Sequence, residues 1–225
     1  MDSTKVSEKK RQRLILELQK IYRIKKKEII CRLREFAECL GKKDDGEIFS
    51  ELSFCLLTPQ SKAQCCWDAI QAITQENLLL TGTDDDIKGK LHRVRFHNKK
   101  AHYLVGARTL FQKGEGISIK QALWDFSDVY ECREWLVKNV KGLGYKEASH
   151  FLRNIGLGSN IAILDRHILR NLLHFGVIQK MPASLGRAKY LQLEQKMTEF
   201  ARKIRIPLAH LDLLLWCKET GNIFK

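Results

Sequence analysis

The sequence predicts an all-α protein, and three observations carry that prediction. Apolar residues recur at helical spacing along most of the chain, while alternating, strand-like patterns are scarce. Only three prolines occur, Pro59, Pro182 and Pro207, and each falls between helical stretches. The longest apolar runs, such as Leu211 to Cys217, stop well short of the roughly 18 residues that a membrane span needs, so they read as core.

Taken in order, the elements begin with a long amphipathic helix from about Lys9 to Leu40, whose apolar face is Leu14, Leu18, Ile21, Ile29, Leu33, Phe36 and Leu40. Residues 1–43 hold 14 Lys and Arg against six Asp and Glu, so this segment carries +8 of the chain's +14. The expected organisation is a basic helical segment, 1–43, packed on a core domain, 44–225. A solvated helix face accounts for such charges as readily as a binding surface does. After an acidic turn at Asp44-Asp45-Gly46, Ile48 to Leu57 form a dense apolar helix that stops at Thr58-Pro59. Ser61 reads as the N-cap of the next helix, which runs through about Ile73. Thr83-Asp84-Asp85-Asp86 starts another, and Lys99 to Phe111 form a further one, with Gly114 and Gly116 marking a loop. Helices are then expected near 128–139, 145–155, 165–174, 186–203 and 207–218.

The net charge of +14 points to a polyanionic partner, nucleic acid before an anionic membrane surface. The membrane alternative needs a basic helix with a large apolar face, which the N-terminal segment meets only weakly. Seven cysteines are scattered with no CxxC pair, which excludes a zinc ribbon or a thioredoxin-like motif and reads as reduced thiols. No apolar signal region follows the first basic residues, so a cytoplasmic protein is expected.

The chemistry concentrates in Trp135 to Leu172. Val140-Lys141-Gly142-Leu143-Gly144-Tyr145-Lys146 joins two helices through a tight turn in which both glycines permit φ > 0. The turn opens onto a helix N-terminus, a natural seat for a phosphate, although ordinary helix connections use glycine too. Lys146 stands in the first turn of that helix, where the dipole disfavours an ammonium and so favours a nucleophile. Asp165 follows the apolar run Ile161-Ala162-Ile163-Leu164 and reads as an N-cap. A lysine so placed is usually solvated and such an aspartate usually just caps; their combination is what points to chemistry.

This run resembles the helix-hairpin-helix DNA glycosylases, in which a hairpin of the form L-P-G-V-G precedes the catalytic lysine and an aspartate follows in a V/I-D-x-H context. The matching residues are Lys141-Gly142-Leu143-Gly144, Lys146, and Leu164-Asp165-Arg166-His167. Lys141 replaces the usual proline and adds positive charge beside a phosphate. Leu56-Leu57-Thr58-Pro59-Gln60-Ser61-Lys62 is similar to the superfamily's L-S-x-Q-T element, whose glutamine tends to fill the hole left by an extruded base. From about Phe49 to Lys225, the run from Lys141 to Gly156, the Ala162 to Arg170 segment and the ending Trp216 to Lys225 resemble the type 2 8-oxoguanine DNA glycosylases.

The resemblance implies a helix-hairpin-helix glycosylase fold: two helical subdomains, an active site in the cleft between them, and a hairpin at about 130–155. It implies catalysis by Lys146 and Asp165, base binding by Phe96, Trp216 and the C-terminal Lys225, and DNA binding by Gln60, Lys62, Lys141, Gly142, Gly144 and Arg166. Core packing accounts equally well for Phe96 and Trp216 from their spacing alone. The implied activity is a bifunctional glycosylase and AP lyase that excises 8-oxoguanine from double-stranded DNA through a lysine Schiff base. It would act as a monomer, in the cytoplasm and on the nucleoid, with no membrane partner. No cofactor or divalent metal is required; a structural monovalent cation at the hairpin is implied. No iron–sulfur cluster is expected, since Cys217 alone of the cysteines lies near the C-terminus. The competing readings are another lesion on the same scaffold, a non-catalytic DNA-gripping hairpin module, and an RNA-binding protein.

Overall fold

Helices dominate the chain because nearly every apolar run has the 3.6-residue period that buries one face. A computed structural model describes residues 8–114 and 116–223. Twelve helices and one two-stranded hairpin occur among these residues. By their contacts they divide into two units, residues 36–157 and residues 8–35 with 158–223. The expected boundary at 43/44 falls at the end of helix α1 (Glu8–Lys42), whereas the units part at 35/36, inside that helix, and at 157/158. No helix among the described residues is long and apolar enough to cross a membrane.

The unit of residues 36–157 is built around α2 (Asp45–Leu57), in which every residue from Ile48 to Leu57 is buried. A helix apolar all round must be enclosed, and α3 (Ala63–Gln75), α6 (His97–Phe111), α7 (Ile119–Trp124) and α9 (Tyr145–Asn154) pack against it. Its start is fixed by a capping box: the Asp44 carboxylate accepts from the Glu47 N–H, and the Glu47 carboxylate accepts from the Asp44 N–H. The acidic residues expected to form a turn are therefore the cap and first turn of the helix, a contribution of about 1 kcal/mol. Glu51, the one carboxylate within α2's buried stretch, accepts from Lys43 Nζ at 3.2 Å and from Asn154 Nδ2 at 3.3 Å, so its charge is compensated.

Four details differ from expectation. Lys62, not Ser61, is the N-cap of α3, and no side chain caps that helix; the Ser61 hydroxyl is engaged elsewhere, as described below. The helices α4 (Leu78–Thr81) and α7 are too short for periodicity to reveal. The Gly114–Gly116 loop belongs to a small antiparallel hairpin, with β1 (Gln112–Lys113) pairing β2 (Gly116–Ile117). The helix expected from Ser61 to Ile73 also runs on to Gln75. The other short element, α5 (Asp84–Lys90), begins at a second capping box, Thr83 with Asp86.

The unit of residues 8–35 and 158–223 contains most of α1 together with α10 (Arg166–His174), α11 (Arg187–Ile204) and α12 (Leu208–Thr220). Leu18 and Ile29 of α1 are fully buried. Two long-range bonds tie α1 down: Gln19 Nε2 donates to the Ile204 carbonyl at 3.1 Å, and the Tyr22 hydroxyl meets His210 Nδ1 at 2.8 Å.

Candidate active site

The hairpin is α8 (Val129–Asn139), a five-residue turn, and α9. Arg133 bolts the two helices together from a buried position: its guanidinium donates to Ser149 Oγ at 3.1 Å and lies over the rings of Tyr130 and Tyr145. Tyr145 in turn donates to Glu134 at 2.6 Å. Gly142 has φ +89°, and a Cβ there would overlap the ring of Tyr103, so the turn lies against α6 closely enough that only glycine fits. Gly144 does not need the left-handed region: its backbone is extended, with φ −93°, contrary to the expectation for both glycines. It caps α9 with no side-chain hydrogen bond, and the Glu147 carboxylate of the first turn lies against it, 3.0 Å from where a Cβ would stand. Gly142→Ala is expected to cost about 2 kcal/mol, since it combines backbone strain with overlap. The check is a lower urea midpoint at unchanged m-value; a midpoint equal to wild type would contradict the packing described.

One turn into the site, Lys146 Nζ donates to Thr58 Oγ1 at 3.2 Å, while that hydroxyl donates its own proton to the Cys55 carbonyl at 2.8 Å. Thr58 thereby presents only lone pairs to the amine. Glu147 lies 3.7 Å from the same nitrogen, and the Lys146 side chain keeps 21 % exposure. Thr58 leads into Pro59-Gln60-Ser61, a loop held by a lysine that sequence reading missed. Lys100, only 4 % exposed, donates from Nζ to the carbonyls of Leu57 and Pro59, both at 2.7 Å, and to Ser61 Oγ at 3.1 Å. Burial pushes its pKa down to about 8; the charges of Lys146 and Arg95 act in the same direction, and that of Glu147 opposes it. Chemistry alone would thus nominate Lys100 as well as Lys146 for a nucleophile. Access decides between them: Lys100 Nζ is enclosed by three acceptors, whereas Lys146 is partly open to solvent.

Gln60 is exposed and left-handed (φ 55°), and Phe96 is 52 % exposed and left-handed (φ 59°) at the N-cap of α6. Core packing therefore does not account for Phe96. Lys62, Lys141 and Arg166 are exposed cations, suited to phosphate contacts.

In the other unit, Asp165 is the N-cap of α10 and accepts from the Ile168 N–H through Oδ1 at 2.7 Å. Its Oδ2 accepts no hydrogen bond among the described residues. The segment before it is irregular and ends in a tight turn, the Asp165 N–H donating to the Ile163 carbonyl at 3.0 Å, and α11 supplies partners for other backbone groups. Glu194 accepts from the Ala162 N–H at 2.8 Å, while the Tyr190 hydroxyl accepts from the Leu164 N–H at 3.2 Å and donates to the Ala162 carbonyl at 2.7 Å. Both residues sit on the buried face of α11 beside Leu193 and Met197, the signal by which they could have been found. Trp216 is half-buried on α12, its ring edge-on to His167 at 5.3 Å. Asn171 joins this group by donating to Glu219 and accepting from Lys218, each at 2.9 Å. Lys225 lies outside the described residues. The candidates Gln60, Lys62, Phe96, Lys141, Gly142, Gly144 and Lys146 thus belong to the unit 36–157, and Asp165, Arg166 and Trp216 to the other.

A helical chain that sets a lysine just inside the second helix of a glycine hairpin has the architecture of the helix-hairpin-helix glycosylases, and comparison with known proteins agrees. A model of the family described as 8-oxoguanine DNA glycosylase matches residues 8–206. A Fusobacterium nucleatum protein named 8-oxoguanine DNA glycosylase/AP lyase is 46% identical, across 93% of this chain and 96% of its own. The crystal structure of the Methanocaldococcus jannaschii 8-oxoguanine DNA glycosylase superposes with a TM-score of 0.84 at 35% identity, covering 95% of this chain and 97% of that one. The same organism's enzyme in complex with a 15mer DNA containing 8-oxoguanine gives 0.83 at 36% identity, covering 93% and 100%. The chain belongs to the 8-oxoguanine DNA glycosylase family.

Proposed function

We infer that this protein excises 8-oxoguanine from double-stranded DNA and then cleaves the resulting abasic site, as a DNA glycosylase and AP lyase. The observation that carries the reading is Lys146: a partly exposed amine in the first turn of the hairpin's second helix, held by Thr58. The damaged nucleotide is turned out of the stack, and its base is read against Phe96, Trp216 and Lys225 while Gln60 fills the vacated space. Lys146 attacks C1′ as the bond to the base breaks and the departing base takes up a proton. The sugar ring opens to an iminium on Lys146, and loss of a C2′ proton then expels the 3′ phosphate. Asp165 acts on the same deoxyribose, its unengaged Oδ2 offsetting the positive charge that develops there.

The hairpin turn with Lys141, Gly142 and Gly144 receives a backbone phosphate, and Lys62 and Arg166 hold others. The carbonyls of Lys141, Gly142 and Leu143 accept no hydrogen bond among the described residues, a donor set that fits a bound monovalent cation. No divalent metal or redox cofactor enters this reading. The state we infer is a monomer. The setting we infer is the cytoplasm, on nucleoid DNA.

The test is base release and borohydride trapping on duplexes carrying a single 8-oxoguanine or a guanine. Release and a covalent adduct with the first substrate alone are expected. Tight binding with neither product would reduce the protein to a DNA-gripping module.

A further inference from the structure

Gln60 and Phe96 are two of the four non-glycine residues with positive φ among the described residues. For a side chain as large as phenylalanine this conformation is strained, and it persists only where the surroundings over-determine it. Here they do. The Ser61 hydroxyl accepts from the Arg95 N–H at 3.0 Å, which joins the residue after Gln60 to the residue before Phe96. Lys100 closes the same circuit through its side chain. It stands one turn into α6, where its N–H makes the ordinary helical bond to the Phe96 carbonyl at 3.1 Å, and its Nζ reaches Leu57, Pro59 and Ser61 on the other loop. The Arg95 guanidinium covers the Phe96 ring at 5.5 Å.

We propose that Lys100 is a positioning residue for capture of the damaged base, an internal clamp that sets the Gln60 loop and the Phe96 backbone in register. The proposal rests on the roles given above to Gln60 and Phe96. Neither Lys100 nor Ser61 touches DNA; each acts through the two exposed side chains. Without the ammonium, the Pro59 carbonyl keeps only the long contact from Ser61 Oγ at 3.4 Å and the Ser61 hydroxyl only the Arg95 N–H among the described residues, while the Leu57 carbonyl still accepts from Cys66 Sγ at 3.2 Å. The C-terminal end of α2 therefore stays capped, and the loss falls on the loop that carries Gln60.

The experiment compares wild type with Lys100→Met, Lys100→Arg, Ser61→Ala, Gln60→Ala and Phe96→Ala in two single-turnover assays, with thermal melting as the check on folding. One assay is excision of 8-oxoguanine from a duplex; the other is strand cleavage at a preformed abasic site, which has no base to capture. Lys100→Met is expected to lower excision about tenfold or more while changing abasic-site cleavage by less than about threefold. Lys100→Arg should recover part of the excision rate, because it restores a charged donor on a long stem. If Lys100→Met does not fold, Ser61→Ala carries the test, since it removes the Arg95 and Lys100 contacts with one atom and should show the same split. Equal loss on both substrates, or no loss, while Gln60→Ala and Phe96→Ala impair excision would overturn the clamp and leave those roles standing. If neither Gln60→Ala nor Phe96→Ala affects excision, their roles fall and the clamp falls with them.

Discussion

Lys146→Gln is expected to abolish trapping and to slow base release by about three orders of magnitude or more, with duplex binding retained. Glutamine keeps much of the side-chain length and can still donate to Thr58 Oγ1, which accepts from Lys146 at 3.2 Å, so the local packing survives. What disappears is the lone pair that attacks C1′. A residual lyase activity in this variant would mean that a second amine reaches the sugar, and Lys100 is the nearest in chemistry. Its enclosure by Leu57, Pro59 and Ser61 argues against that outcome. Single-turnover excision and borohydride trapping, run side by side, separate the two cases.

Asp165→Asn is the second large effect, and it discriminates between the two jobs this residue holds. Asparagine caps helices about as well as aspartate, so the bond to the Ile168 N–H and the start of α10 should survive. Base excision is nonetheless expected to fall by about two to three orders of magnitude, because a neutral amide offsets no positive charge on the sugar. Asp165→Ala should show the same catalytic loss and also cost about 1 kcal/mol of stability through the missing cap. If Asp165→Asn excises at the wild-type rate, Asp165 is a cap and nothing more.

The parts of this architecture legible in the sequence are those written locally. The long amphipathic period of α1, the buried run of α2, the helix start at Thr83-Asp84-Asp85-Asp86 and the cap at Asp165 are short-range patterns, and the structure has them. Gly142 was legible as a special position, but sequence could not separate it from Gly144, because only the approach of Tyr103 from α6 makes a Cβ impossible at one of them. Ser61 was misread for a related reason. A serine just before a helix has the chemistry of a cap, yet its hydroxyl is claimed by Arg95 and Lys100, 34 and 39 residues away. Lys100 reads as one more solvated lysine in Asn98-Lys99-Lys100. The clue that was available is its register: it shares the buried face of α6 with Leu104, Ala107 and Phe111. The return of residues 158–223 to pack with residues 8–35 is a non-local event with no local signature.

The central claim is that the amine of Lys146 carries the chemistry, and peptide mapping of the trapped complex tests it most directly. Wild-type protein reduced with borohydride on an 8-oxoguanine duplex would be digested with nuclease and protease, and the lysine bearing the sugar remnant located by mass spectrometry. The remnant is expected on the peptide containing Lys146. Its appearance on Lys100, or on the N-terminal amine, would contradict the account and move the nucleophile out of the hairpin.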